Sequence, residues 1–132
     1  LDENLKVIFC VGEDFQTKEN SETHLCLGEQ LDAAFGQYST DYYSVTIAYE
    51  PTWAIGTGRN AEIGHIEEIH RFIKQYIKNH LGLLDVYTPV LYGGSVNLEN
   101  CEEIISSNNV DGLLIGGASL DPETFSKIYN LS

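Results

Sequence analysis

Glu50 opens the run Glu50-Pro51-Thr52-Trp53-Ala54-Ile55-Gly56-Thr57-Gly58. A carboxylate at the end of an apolar strand-like stretch, with a proline fixing the next φ, is placed to accept a proton. Pro51 and Trp53 make a stiff start, and Gly56 and Gly58 a pliable tip, which is the make-up of a closing lid. Two other segments, Tyr92-Gly93-Gly94-Ser95 and Gly116-Gly117-Ala118-Ser119, carry adjacent glycines. Paired glycines let backbone N–H groups approach an anion, and a following helical turn adds its dipole. The chemistry these residues suggest is proton transfer by a carboxylate beside an anion grip. Each feature alone has a plainer reading. Glu50 could be a structural strand-end carboxylate, Trp53 a core residue, and the glycine pairs simple turns. Their conjunction is what favours chemistry.

The elements that must position these residues alternate. Apolar runs at Leu5–Val11, Val45–Tyr49, Pro89–Tyr92 and Gly112–Ile115 are short, rich in Val, Ile, Leu and aromatics, and not strictly alternating. Such runs fit parallel strands covered on both faces. Between them lie helix-like stretches. Ser21–Phe35 is expected to start at a Ser21 cap and to align Leu25, Cys26 and Leu31. Ile63–Leu81 repeats Ile66, Ile69, Ile73 and Ile77 at spacings of three and four. Asn97–Ile105 has Asn97 as its cap, with Leu98, Cys101 and Ile105 at helical spacing. A last helix begins at Asp121-Pro122, a cap followed by proline. The strand–helix order predicts a parallel sheet with right-handed crossovers. Glycines gather after the strands, where α/β barrels build their active face. Four units are half of an eight-unit barrel of about 250 residues, and 132 residues agree with half.

Composition limits the alternatives. Hydrophobic residues make up 42% of the chain, which argues against disorder. No apolar run is long enough to span a bilayer, so no membrane association is expected. A net charge of -13 repels polyanions, making nucleic acid a poor partner. The same charge opposes a phosphorylated metabolite unless backbone dipoles or a cation from elsewhere answer it. Cys10, Cys26 and Cys101 form no CxxC pair, so neither a disulfide framework nor a zinc site is expected, and a reducing cytoplasm fits. Cys10 reads as a small core residue. The chain has no methionine and begins at Leu1, which reads as a piece of a longer chain.

The segments AYEPTWAIGTG, LYGGSV and DGLLIGGASL, with KVIFCVGE at the start, resemble the triosephosphate isomerase family in order and spacing from about Leu5 to the C-terminus. The resemblance implies the C-terminal half of a (β/α)8 TIM barrel. Residues 1–132 would be one partial domain, βα units 5 to 8, without the N-terminal half. It implies that Glu50 is the base interconverting dihydroxyacetone phosphate and D-glyceraldehyde 3-phosphate through an enediolate. Gly56, Ser95, Gly116 and Gly117 would grip the phosphate. Pro51, Thr52, Trp53, Ala54, Ile55, Thr57 and Gly58 would be lid and hinge. Tyr92 and Ser95 would hold the closed lid near Gly58 and Ala61. Glu13 looks like the family's structural carboxylate. The resemblance further implies an isomerase of glycolysis and gluconeogenesis, cytoplasmic, homodimeric at full length, needing no cofactor or metal.

What the resemblance lacks is equally informative. The family's lysine, electrophilic histidine and its neighbouring glutamate belong to the other half. His24, His65, His70 and His80 are expected to be structural or surface residues. An enediolate needs donors or a cation for its oxygens, so the chain alone is expected to be nearly inactive. Pro89 and Lys74 stand where the family usually has arginines, and Arg59 where it has a lysine. Lys74 can still pair with Asp111, without a bidentate fork. Two other readings compete: a non-catalytic half-barrel that binds phosphate or pairs with itself through open edges, and another phosphate-binding barrel such as a sugar-phosphate lyase, which would lack the Glu-Pro-x-Trp lid.

Overall fold

A computed structural model describes residues 5–36, 45–56, 60–80 and 88–131 of the chain, apart from the side chain of His80. The four apolar runs form strands β1 (Val7–Val11), β2 (Val45–Tyr49), β3 (Val90–Tyr92) and β4 (Gly112–Leu113). They pair in the order β1-β2-β3-β4, every pair parallel, with Val7 opposite Val45, Ile47 opposite Val90 and Leu91 opposite Gly112. Helices fill the connections: α1 (Phe15–Glu19), α2 (Thr23–Phe35), α3 (Ile63–His80), α4 (Cys101–Ile105) and α5 (Pro122–Tyr129). Strands that follow one another in chain and in space, with helices between, make this an α/β fold with the arrangement of half a TIM barrel.

One face of the sheet is closed and the other open. Val11, Val45, Ile47, Tyr49, Val90 and Tyr92 are buried in one core with Leu27, Leu31 and Phe35 of α2 and with α3. Ile66, Ile69, Ile73 and Ile77 of α3 are at most 5% exposed, as their spacing predicts. Each such isoleucine contributes about 1.5–3 kcal/mol through burial. The neighbouring positions Ile8 and Cys10 of β1 face the other way and are exposed. The expectation that Cys10 is a core residue is thus corrected. It lies on the opposite face of β1, exposed among the described residues.

The helix starts also differ from expectation. Helix α1 was not anticipated; Asp14 caps it, its side chain accepting from the Thr17 amide at 2.8 Å. Ser21 is not the cap of α2. It adopts φ 62 just after the α1 C-cap Asn20, with Ser21 N bonded to Lys18 O and Glu22 N to Thr17 O, both at 3.0 Å. This is the left-handed closing motif that usually takes glycine. Helix α2 starts behind Glu22 and buries Thr23, Leu27, Gly28, Leu31 and Phe35, while Leu25 is 64% exposed. Asn97 does not cap α4 directly. Its side chain accepts from the amides of Glu99 and Asn100, and the helix begins after Asn100, burying Cys101 and Ile104 while Leu98 is largely exposed. The Asp121 cap and Pro122 start of α5 are as expected, with the cap accepting from Thr124 N at 2.8 Å. Leu81, the anticipated end of α3, lies outside the described residues.

Candidate active site

Glu50 follows β2 directly, and its amide donates to Val11 O at 2.7 Å, extending the β1–β2 ladder by one bond. Two glycines make room for it. A Cβ at Gly12 would collide with the Glu50 carbonyl, so only glycine lets the two backbones pass. A Cβ at Gly93 would sit 2.6 Å from Glu50 Cγ and 2.8 Å from its Oε1, so the glutamate side chain lies across the bare backbone of the β3 loop. Gln30 of α2 braces the same corner. Its side-chain amide donates to Gly12 O at 2.9 Å while its oxygen accepts from Gly12 N at 3.0 Å.

Glu50 lines a cavity of about 380 Å³ together with Ile55, Gly56, Gly93, Gly94, Ser95, Gly116, Gly117 and Ala118. The three segments singled out by sequence therefore meet in one place. Gly56 holds φ 65, a left-handed turn in the segment after the short 3₁₀ turn Thr52–Ala54. A second 3₁₀ turn, Gly117–Leu120, starts at the cavity wall. Among the described residues, none accepts from the amides of Gly116 or Gly117, and a Cβ at either would meet nothing within 4 Å. Open amides at the start of a helical turn suit an anion. Among the described residues, Glu50 is the charged side chain in the wall, and no histidine, lysine or arginine lines it.

The other predicted site residues are framework rather than wall. Pro51, Thr52, Trp53 and Ala54 form the first part of the lid segment and are held from below by Glu13, which is 1% exposed. Glu13 Oε1 accepts from Trp53 Nε1 at 2.9 Å and Tyr49 Oη at 3.0 Å, and its backbone carbonyl accepts from Thr52 N at 3.0 Å and Thr52 Oγ1 at 3.1 Å. Burial pushes the Glu13 carboxyl up, but the nearby His65 ring and the hydrogen bonds from Trp53 and Tyr49 outweigh it and hold the group below its ordinary value of 4.5. Burial and the neighbouring Glu13 raise Tyr49, so it stays a phenol. Thr57 and Gly58, expected at the lid tip, lie outside the described residues, as does Arg59.

Ser95 and Tyr92 depart in part from their expected contacts. The Ser95 hydroxyl donates to Ala54 O at 2.7 Å, so it grips the first part of the lid segment rather than the part near Ala61. Its own carbonyl accepts from Asn100 Nδ2 at 2.9 Å. Tyr92 is buried beneath the cavity. Its hydroxyl has no completed hydrogen bond, but the Ala61 backbone is near enough to counter the upward push that burial gives the phenol. Lys74 pairs with Asp111 at 2.8 Å, and Asp111 also accepts from Val90 N, which ties α3 to the start of β3.

The histidines lie on helices, away from the cavity. His24 stacks on Phe72 and lies 3.4 Å from Glu68. His70 is fully buried, with Nδ1 3.3 Å from Asn109 O, and burial lowers it to about 4. His65 contacts Tyr49 and approaches Glu13. Sequence reasoning missed Gln30 and the specific place of His65, because both act across long stretches of chain and leave no local spacing. Among the described residues, no group of three or more His, Cys, Asp or Glu side chains is placed to hold a metal ion, and no helix is long and apolar enough to cross a membrane.

Fold and cavity together define an α/β half-barrel in which one carboxylate faces an open, glycine-lined hollow. The sequence model of the triosephosphate isomerase family matches residues 1–132. The chain is 42% identical over 128 residues to a triosephosphate isomerase of Halorhodospira halophila, covering 96% of this chain and 51% of that protein. It is 44% identical over 126 residues to that of Thermodesulfovibrio yellowstonii, with the same coverage of 96% and 51%. It is 41% identical over 132 residues to the chloroplastic enzyme of Secale cereale, covering 98% and 44%. The chain belongs to the triosephosphate isomerase family. It spans about half the length of these curated relatives.

Proposed function

We propose that this chain is βα units 5 to 8 of a triose-phosphate isomerase, and that Glu50 moves the proton between adjacent carbons of the bound triose phosphate. The observation that carries this reading is the single cavity that sets the Glu50 carboxylate among Gly56, Ser95, Gly116 and Gly117. In this reading the base removes a proton beside the carbonyl and returns it to the neighbouring carbon. The amides of Gly56, Gly116 and Gly117 and the Ser95 segment hold the phosphate away from the reacting carbons. The lid from Pro51 to Gly58 closes over both and excludes water. Among the described residues, the cavity wall holds no imidazole to polarise the carbonyl and no cation to balance the phosphate charge. Those roles fall to a lysine and a histidine of the other half of the barrel. The full chain would act as a cytoplasmic homodimer in glycolysis and gluconeogenesis.

The test is Glu50→Gln in the full barrel. Loss of a general base predicts a fall in kcat of about 10²–10⁴-fold with little change in KM. Turnover near that of the unaltered enzyme would remove Glu50 from the role. A second reading, a non-catalytic half-barrel that associates with itself, is favoured by the exposed residues Ile8 and Cys10 and by the outer edges of β1 and β4, which pair with no other strand among the described residues. It predicts stable oligomers of the chain without turnover, whichever residue stands at position 50.

A further inference from the structure

His65 occupies the first turn of α3, where the chain returns from the lid segment, and its side chain is 20% exposed. Its Nε2 lies 3.1 Å from Tyr49 Oη and 3.9 Å from Glu13 Oε1, and its ring centroid is 6.2 Å from that of Trp53. Tyr49 ends β2, just before the lid segment, so the Tyr49–His65 contact joins the two strands of chain on which that segment is mounted.

Proton counting assigns the direction of this contact. Tyr49 has one hydroxyl proton, and it goes to Glu13 Oε1 at 3.0 Å. The tyrosine oxygen can then only accept from His65, so Nε2 must carry a proton. The opposite assignment would spend the tyrosine proton on His65. It would leave the buried Glu13 carboxylate with Trp53 as its side-chain hydrogen-bond donor, although Glu13 Oε2 already lacks a partner. Leaving a buried charge short of donors costs more than turning the imidazole. The result is a directed chain, His65 to Tyr49 to Glu13, that ends on the oxygen holding the Trp53 indole.

We propose that His65 is a positioning residue for the lid: by donating from Nε2 to Tyr49 it fixes the Tyr49–Glu13–Trp53 chain under the lid's first turn. Other charged groups face the same spot. Lys18 of α1 lies 4.3 Å from the Trp53 ring centroid, and Lys18, His24 of α2 and Glu68 of α3 line a small cavity of about 320 Å³ with His65. His24 has Glu68 at 3.4 Å, and the buried Glu13 carboxylate lies 3.9 Å from His65.

The lid role rests on the functional reading above, but the chain of hydrogen bonds does not, and Trp53 reports it directly because it is the only tryptophan. Acrylamide quenching and emission of Trp53 are measured on the chain at pH 8. His65→Gln keeps an N–H donor, so it should keep the protection of the unaltered chain. His65→Leu should lose it, with the unlatched population rising on the order of fivefold, the weight of one hydrogen bond. Lost protection in His65→Gln, or unchanged protection in His65→Leu, would each overturn the proposal. Should the variants fail to fold, long-range ¹H–¹⁵N spectra of the unaltered chain decide it. The Nε2–H form of His65 at neutral pH supports the chain, and the Nδ1–H form refutes it. None of these readouts depends on turnover, whereas failure of the catalytic reading appears only in the Glu50→Gln assay.

Discussion

Two sides of the lid segment are built from different materials. Below its first turn, Glu13, Tyr49, Trp53 and His65 make a cluster of side chains whose polar atoms answer one another, with the buried rings of His70 and Tyr92 behind it. Across the cavity, Gly56, Gly93, Gly94, Gly116 and Gly117 present backbone and little else. The first side makes side-chain hydrogen bonds within the protein, although Glu13 Oε2, His70 Nε2 and Tyr92 Oη have no partner among the described residues, and the second has the amides of Gly116 and Gly117 in reserve. Under the proposed function, the difference separates two duties, holding the base and lid in place and receiving a charged ligand. Glu50 stands at the boundary, anchored by β1 backbone and lying over Gly93.

Substitutions should respect this division. The largest effect is expected where the two sides touch. Gly12→Ala drives a methyl group into the Glu50 carbonyl, and neither backbone can give way without breaking the ladder. We expect a loss of about 3 kcal/mol, the upper end for overpacking, read by urea denaturation. A loss below about 0.5 kcal/mol, the size of an ordinary surface change, would show that the two backbones are not locked together.

Acid should act on the side-chain cluster and the rings behind it, where the shifted groups Glu13 and His70 lie. His70 is neutral in the fold and lowered to about 4 from its ordinary 6.5, first by burial. The unfolded chain therefore binds the proton first as pH falls. Stability should drop between pH 6.5 and about 4, by roughly 3 kcal/mol over that span. Glu13 is shifted the other way for its charge type. Its contribution is complete above 4.5 and is lost only as pH falls further, through its lowered folded value. Thermal melts against pH should thus show two descending segments, the His70 one first. His70→Phe should flatten the upper segment, and an unchanged slope there would assign it to another group.

Smaller effects sharpen the contrast. Glu13→Leu removes the acceptor from Trp53 and Tyr49 and should cost about 1–3 kcal/mol, the usual penalty for stranding buried donors, with Trp53 more open to quencher. Gly117→Ala should leave stability within about 0.5 kcal/mol, because a Cβ there meets nothing within 4 Å. It should still weaken phosphate binding in the full barrel by narrowing the approach to the amides. If Gly117→Ala destabilised the fold as much as Glu13→Leu, the division of duties would not hold.

Much of this arrangement is legible in the sequence wherever a local rule applies. The isoleucine spacing of α3, the Asp121-Pro122 start of α5 and the glycines after each strand can all be read without a structure, because each depends on neighbours within a turn. The Glu50 and double-glycine segments read as one site only in combination. The rest depends on distance along the chain. Gln30 reaches back 18 residues to clamp Gly12, and Trp53 reaches 40 to Glu13. Ser21 was misread because a left-handed closing residue is usually glycine, and serine there imitates a cap. Cys10 was misread because an apolar run implies cover on both faces, whereas the face of β1 that carries Ile8 and Cys10 is exposed among the described residues.

The central claim is that Glu50 and its glycine cradle form a competent but incomplete half of an isomerase site. Isomerisation of glyceraldehyde 3-phosphate should be measured for the chain alone and for the chain joined to the first four βα units of a relative. Negligible turnover alone and Glu50-dependent turnover when joined is the predicted result. Efficient turnover by the chain alone, or joined activity indifferent to Glu50→Gln, would contradict it.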